Sequence, residues 1–255
     1  MNYEAAFLNL SPKGLRLPIK YHYRKLRGRL DREISYLHKL IGNGKRAIDI
    51  GANEGIYSYA LSQICEIVEA FEPQPWCTET IIAYKKANKK NINVYNVGLS
   101  NSNGSLDLYI PYSSNSNSKL VTGLGSFREP EVNHRCIQVP VLKLDDYNFQ
   151  DISIIKIDVE GYESQVIEGG KNTILREKPL IYIEIEQRHL KGKSINLIFE
   201  QIIELGYEGS FLLRDKIMPL SKFSYQEHQQ NFLNNLYQED YVNNFIFQSK
   251  KLSIW

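Results

Sequence analysis

The segment Asp49-Ile50-Gly51-Ala52-Asn53-Glu54-Gly55 follows a short apolar stretch and precedes a helical one, so it reads as a glycine-rich turn between strand and helix. Glycines there let the backbone approach a ligand, and the helix that follows offers unpaired amide groups to it. The spacing is Gly-x-x-x-Gly, not the Gly-x-Gly-x-x-Gly of dinucleotide sites, and an acid precedes it by two residues. That acid suits an ammonium or sulfonium group better than a pyrophosphate. At the end of the next strand, Ala70-Phe71-Glu72-Pro73 presents a carboxylate able to accept both hydroxyls of a ribose, with Pro73 stopping the strand behind it.

Further along, Asp158 closes the apolar run Ile152-Ser-Ile-Ile-Lys-Ile157, where a carboxylate needs a partner or a ligand. Glu160, directly before Gly161, is expected to cap the next helix, and Glu163 to be a surface residue or one favoured by the helix dipole. Glu184 and Glu186 alternate on the following strand and so share a side. Either that strand has left the core by Glu184, or Glu184 stands beside Asp158 at an acceptor site with His189 in reach. Histidine titrates near neutrality and can remove an acceptor proton. Asp158 and Glu184 also offer oxygens that suit a magnesium ion, but no metal is assigned. No His-x-x-x-His or Cys/His set proposes a transition metal.

The elements that must position these groups follow from the texture of the chain. Its 255 residues fit one large domain with an appended arm, and 31 basic against 29 acidic side chains exclude a chain-wide polyanion wrapper. No apolar run approaches the roughly 18 residues needed to span a bilayer, and the first residues lack a secretory pattern. Three cysteines without a CxxC pair argue against disulfides and a zinc knuckle, so a cytoplasmic location is expected. Strands alternate with helices from residue 44 onward, the signature of an α/β fold with a parallel sheet and right-handed crossovers. Residues 1–40 form a helical arm, apolar at Tyr23, Leu26, Leu30, Ile34, Leu37, Leu40 and Ile41. Its opposite face carries Arg24, Lys25, Arg27, Arg29 and Arg32, preceded by Arg16 and Lys20; such a face is solvated or meets an anionic substrate group or membrane surface. Residues 41–255 form the main domain. An insertion near 101–150 reads as a hairpin whose Asn/Ser/Gly-rich loop is either filler or a lid, and YEGSFLLRD with NNFIFQS as a closing strand pair.

DIGANEG, AFEP, VPVLKLDDY, IIKIDVEGYE and IYIEIE together resemble the FkbM family of S-adenosylmethionine-dependent methyltransferases, from about residue 44 to 190 and more weakly through NNFIF. The resemblance implies a Rossmann-like class I sheet of seven mostly parallel strands, helices on both faces, and the donor across its carboxyl edge. Asp49 and the turn Gly51, Ala52, Asn53 and Gly55 would then hold the methionine end, and Glu72 the ribose, with Gly98 and Leu99 bordering the adenine. Tyr57 and Pro73 complete the expected cofactor site, and Asp158 closes it near the methyl group. The family implies O-methylation of a sugar hydroxyl on a glycan, glycolipid or glycosylated metabolite; with it, the residues' own placement makes Asp158, Glu184 and His189 the expected catalytic set. The acceptor is expected to be a small molecule or glycan, bearing a phosphate or carboxylate near the basic arm. Two other readings stand beside it: RNA methylation, which lacks an Asn-Pro-Pro-aromatic segment, and a non-catalytic nucleotide-binding module. A nicotinamide dehydrogenase is disfavoured by the glycine spacing.

Overall fold

The computed structural model describes Leu8, residues 10–113 and residues 116–250. Residues 1–7 and Asn9 of the expected arm, Ser114-Asn115 of the insertion and residues 251–255 lie outside the described residues. Two helices, α1 (Lys13–Leu26) and α2 (Glu33–Ile41), lead into β1 (Gly44–Ile50), α3 (Ile56–Leu61), β2 (Cys65–Phe71), α4 (Pro75–Asn88) and β3 (Ile92–Tyr95). Next come β4 (Gly98–Leu99), β5 (Gly104–Ser113), β6 (Ser116–Leu120) and β7 (His134–Leu142). The chain continues through β8 (Ile152–Ile157), α5 (Glu163–Gly169), α6 (Lys171–Glu177), β9 (Leu180–Glu184) and α7 (Ile195–Glu204). It closes with β10 (Tyr207–Leu213), β11 (Lys216–Pro219), α8 (Tyr225–His228) and β12 (Asn244–Ser249).

The main sheet runs β11-β10-β12-β9-β8-β1-β2-β3, with β3, β2, β1, β8 and β9 mutually parallel and β12 antiparallel to both neighbours. This is the expected α/β architecture, carrying eight strands instead of seven. The additional strand arises because Arg214 and Asp215 both adopt positive φ, at 45° and 64°, and so turn the chain back as a tight hairpin onto β10. After α4 the chain divides between the sheets: β3 stays in the main sheet, whereas β4 leaves to pair with β7. The insertion forms a second sheet, β4-β7-β5-β6, in which β5 and β7 make the expected antiparallel pair.

Near-continuous apolar runs in the parallel strands reflect burial on both faces. Ile48, Ile155, Ile181 and Phe245 point toward α7, where Ile198, Phe199 and Ile202 cover them. Ala47, Val68, Ile154 and Tyr182 face the opposite layer, which includes Leu61, Ile81 and Tyr84 and also Leu17, Ile34 and Leu37 from α1 and α2. Asn88 at the end of α4 donates to the Gly14 carbonyl at 3.1 Å, and Lys20 pairs with Glu54 in the β1–α3 turn. Helix α1 therefore runs antiparallel to α4 and climbs from the sheet's amino edge to its carboxyl edge. Two expectations change here. Lys20, placed on the basic outer face, is buried against Glu54, and Leu26, placed on the apolar face, is exposed because the helix stops there and Gly28 turns the chain at a φ of 61°. No helix among the described residues is long and apolar enough to cross a membrane.

Leu17 is fully buried, so Leu17→Ala should lower unfolding free energy by about 2–5 kcal/mol through the cavity it leaves. Urea denaturation checks this, and a loss below about 1 kcal/mol would place α1 outside the cooperative core.

Candidate functional site

The site is built on the crossing of β1 and β8. Asp49 and Lys156 are partners in the β1–β8 register, and the Lys156 ammonium donates to the Gly51 carbonyl at 3.1 Å and to Asp158 Oδ2 at 3.3 Å. Asp49 Oδ1 lies 3.5 Å from the same ammonium, while Asp49 Oδ2 accepts from the Ser58 hydroxyl at 2.6 Å. Burial by itself favours a neutral amine, but the carboxylates of Asp158, Asp49 and Glu184 outweigh it and raise the Lys156 pKa. The ammonium also sits 4.9 Å from the centre of the Tyr57 ring. Gly51, at a φ of 75°, is required here, because a Cβ would run into the Asp158 carbonyl oxygen.

Beyond this crossing lies a pocket, partly open to solvent, at the carboxyl ends of β1 and β2. Glu72 forms its polar end and is only 3% exposed. Glu72 Oε2 accepts from the Asn53 N–H and Oε1 from the Gln74 N–H, each at 2.9 Å, which fixes the carboxylate at the end of β2. Burial pushes its carboxyl up to about 7 against the pull of those amides and of Lys156. Asn53 Oδ1 and Gln74 Oε1 are buried acceptors without a partner. The Gln74 Nε2 donates to the Thr122 carbonyl at 3.0 Å, which sets the sense of that amide. Apolar walls come from Ile50, Phe71, Val97, Leu99, Leu108 and Phe127. Thr122, Gly123, Gly125 and Phe127 belong to the insertion, so this part of the Gly-rich stretch is a wall of the pocket.

At the other end, Glu160 lines the pocket with its backbone at a φ of 51°, and its Oε2 lies 2.7 Å from His189 Nδ1. Burial raises the Glu160 carboxyl; burial would lower the His189 pKa, but the hydrogen bond to Glu160 outweighs it and raises it. No side chain caps the start of α5; Glu163, its first residue, is buried and accepts from the Gly161 N–H at 2.8 Å, with burial pushing its carboxyl up to about 7. Glu160 therefore does not cap the helix, and Glu163 is buried rather than on the surface, in the first turn where the helix dipole favours an acid. Glu184 is half-buried and accepts from Asn243 Nδ2 at 2.8 Å, and burial together with Asp158 and Glu160 drives its carboxyl well up. Glu186 is different: two Arg188 hydrogen bonds at 2.7 Å and the Tyr241 hydroxyl outweigh burial and lower its pKa.

Among the described residues, Glu160, Glu186 and His189 place ligand atoms within 4.8 Å of one another. Arg188 already neutralises Glu186 there, so the set is better matched to protons than to a metal ion. The weighed pairing of Asp158 with Glu184 around a divalent ion is not favoured either, because Lys156 and Asn243 engage these two carboxylates.

Of the residues singled out from sequence, Gly51, Asn53, Glu72, Pro73, Gly98, Leu99 and Asp158 line the pocket. Asp49, Ala52, Gly55, Tyr57, Glu184 and His189 do not. Asp49 lies beneath it, and the Tyr57 hydroxyl turns away to Asp31 Oδ2 at 2.5 Å and the Tyr182 hydroxyl at 2.7 Å. Lys156 and Gln74 escaped the sequence reading, and Glu160 was read there only as a helix cap. A lysine inside an unbroken apolar strand is the signal that could have found the first, since a buried ammonium demands partners.

A parallel sheet ordered β3-β2-β1-β8-β9 and completed by β10 and antiparallel β12, with a pocket at the carboxyl ends of β1 and β2, defines a class I methyltransferase. The family model described as the methyltransferase FkbM domain matches residues 49–209, and the chain belongs to that family. A relative, 2-O-methyltransferase NoeI of Sinorhizobium fredii, is 28% identical over 198 residues, covering 66% of this chain and 78% of that protein. The crystal structure of methyltransferase FkbM from Methylobacillus flagellatus KT superimposes with a TM-score of 0.50 at 14% identity. That match covers 96% of this chain but 57% of the other, so the chain spans little more than half of that protein and the likeness concerns the fold alone.

Lys156→Met should cost about 3–5 kcal/mol in unfolding free energy, because it strands the buried Asp49 carboxylate. Adding Asp49→Asn should recover part of that loss in guanidinium denaturation; strictly additive losses would uncouple the two residues.

Proposed function

We propose that the protein transfers a methyl group from S-adenosylmethionine to a hydroxyl of a sugar, on a glycan, glycolipid or glycosylated metabolite. The observation that carries the donor is Glu72, a buried carboxylate held by two backbone amides beside the unpaired Asn53 and Gln74 oxygens. An acceptor-rich buried corner of this kind fits the vicinal hydroxyls of a ribose and leaves no room for a phosphate. When bound, the donor supplies an electrophilic methyl group on a sulfonium. Glu72 and Pro73 would hold the ribose, Gly98 and Leu99 the adenine, and Gly51 and Asn53 the methionine end. Asp158, next to the β1 turn, would border the reacting group, and aligning two bound partners supplies roughly 7–11 kcal/mol of barrier reduction.

A sugar hydroxyl is a weak nucleophile, so a proton acceptor is needed. His189, oriented by Glu160, takes that role, and Glu184 accepts from neighbouring hydroxyls of the sugar. The S. fredii relative, by name a 2-O-methyltransferase, supports a hydroxyl acceptor. Asp158, Glu160 and Glu184 gather at the acceptor end and oppose an anion there, so an acceptor phosphate or carboxylate is not part of this reading.

Thermal unfolding with S-adenosylhomocysteine, with NAD in parallel, tests the donor. At about 100 times its dissociation constant a ligand should stabilise by roughly 2.7 kcal/mol, and a flat response would remove the donor site. Ribose hydroxyls favour the charged form of Glu72, whose carboxyl stands at about 7 without ligand. Adenosylhomocysteine affinity should therefore fall as pH drops through about 7, and Glu72→Ala should weaken binding at least about tenfold and flatten that dependence by calorimetry. For methyl transfer, His189 must be neutral while Glu160 holds its pKa up. Activity with labelled donor should rise with pH, and Glu160→Gln should move the rising limb to lower pH; an unmoved limb would release His189 from the role.

A further inference from the structure

The carboxyl edge of the sheet ends in a surface that the pocket does not account for. Helix α1 climbs to this edge, where Lys20 meets Glu54 and Asp31 meets Tyr57, so the turn between α1 and α2 overhangs it. Residues 24–32 hold five Lys or Arg and a single acid, Asp31, which is bound to the Tyr57 hydroxyl. Lys25, Arg27 and Arg29 pair with no carboxylate among the described residues, and between the first two stands Leu26, 87% exposed. The segment between β11 and β12 returns to the same edge, and Arg32 meets its Glu239 at 3.4 Å. That segment adds Tyr237, 97% exposed, and Leu233, 46% exposed, while its Asp240 is bound by Arg214. Cationic side chains thus flank apolar and aromatic tips that point away from the protein with nothing to cover them.

We propose that this end of the molecule docks on an anionic lipid bilayer. The α1–α2 turn enters the headgroup region, Leu26 and Tyr237 rest at the acyl boundary, and Lys25, Arg27 and Arg29 meet lipid phosphates. The complementarity is one of charge and shape: three cations without a carboxylate partner among the described residues, Arg27 lying over the Tyr23 ring, match a diffuse negative surface, and isolated apolar tips match a soft interface better than a rigid protein groove. The inference does not depend on which hydroxyl is methylated. It does place the pocket mouth toward the membrane, where a lipid-borne acceptor would be met.

The experiment is sedimentation of the full chain with phosphatidylcholine vesicles, with and without 30% phosphatidylglycerol. Sedimentation is expected only with phosphatidylglycerol and should weaken in high salt. The triple variant K25S/R27S/R29S should partition about a hundredfold less, from about fivefold per basic residue, and Leu26→Ser about tenfold less without any change of charge. Both variants should keep the thermal shift with adenosylhomocysteine, which shows that they are folded. Equal sedimentation with both vesicle types, or a triple variant that binds like the wild type, would overturn the proposal. So would stabilisation by inorganic phosphate that the triple variant loses, without phosphatidylglycerol-dependent sedimentation, since the turn would then be a subsite for a soluble phosphate.

Discussion

One ammonium group under the ends of two parallel strands sets the geometry of everything above it. Lys156 reaches the Gly51 carbonyl and the carboxylates of Asp49 and Asp158 at once, so the β1 turn and the end of β8 cannot move independently. The turn in that position delivers the Asn53 amide to Glu72, and Glu72 in turn is delivered by β2, the register neighbour of β1. A buried ion network of this sort contributes little net stability over an apolar replacement. Its value lies in direction: each carboxylate is aimed by a charge that has nowhere else to go.

The two halves of the edge use charge in opposite ways. Around Glu72 the carboxylate is solitary, and burial alone raises it. Around Glu184 the carboxylates of Asp158 and Glu160 crowd together, so protons are retained there for mutual repulsion as well as for burial. The first arrangement suits recognition of neutral donors, the second the holding and passing of a proton. Glu186 stays out of this exchange because Arg188 and Tyr241 fix it as an anion.

Much of this was legible in the sequence, and the gaps have physical reasons. The parallel core could be read because strands buried on both faces are written as apolar runs, and Glu72 because a strand-ending acid before proline has few alternatives. Asp49 was legible as a strand-end acid, but its partner was not. Its side chain meets Lys156 across the β1–β8 register, and register between segments more than one hundred residues apart leaves no local mark. Glu160 was taken for a helix cap because acid-glycine pairs commonly start helices; what frees it is a left-handed backbone at that residue and a histidine from another strand end. Leu26 fitted the helical period, but Gly28 ended the helix before the period could be honoured.

The wall that the insertion lends to the pocket is tied at two points. Thr122 accepts from Gln74 beside Glu72, and Ser126 donates to the Glu160 carbonyl at 2.7 Å at the other end. Loops ordinarily absorb insertions and deletions without penalty. Here five residues span two anchors on different elements, so a change of length at this point would alter the width of the cleft and the backbone of Glu160 together. The insertion thus acts as a strut: five residues hold the spacing between the end of β2 and the end of β8 from outside the main sheet.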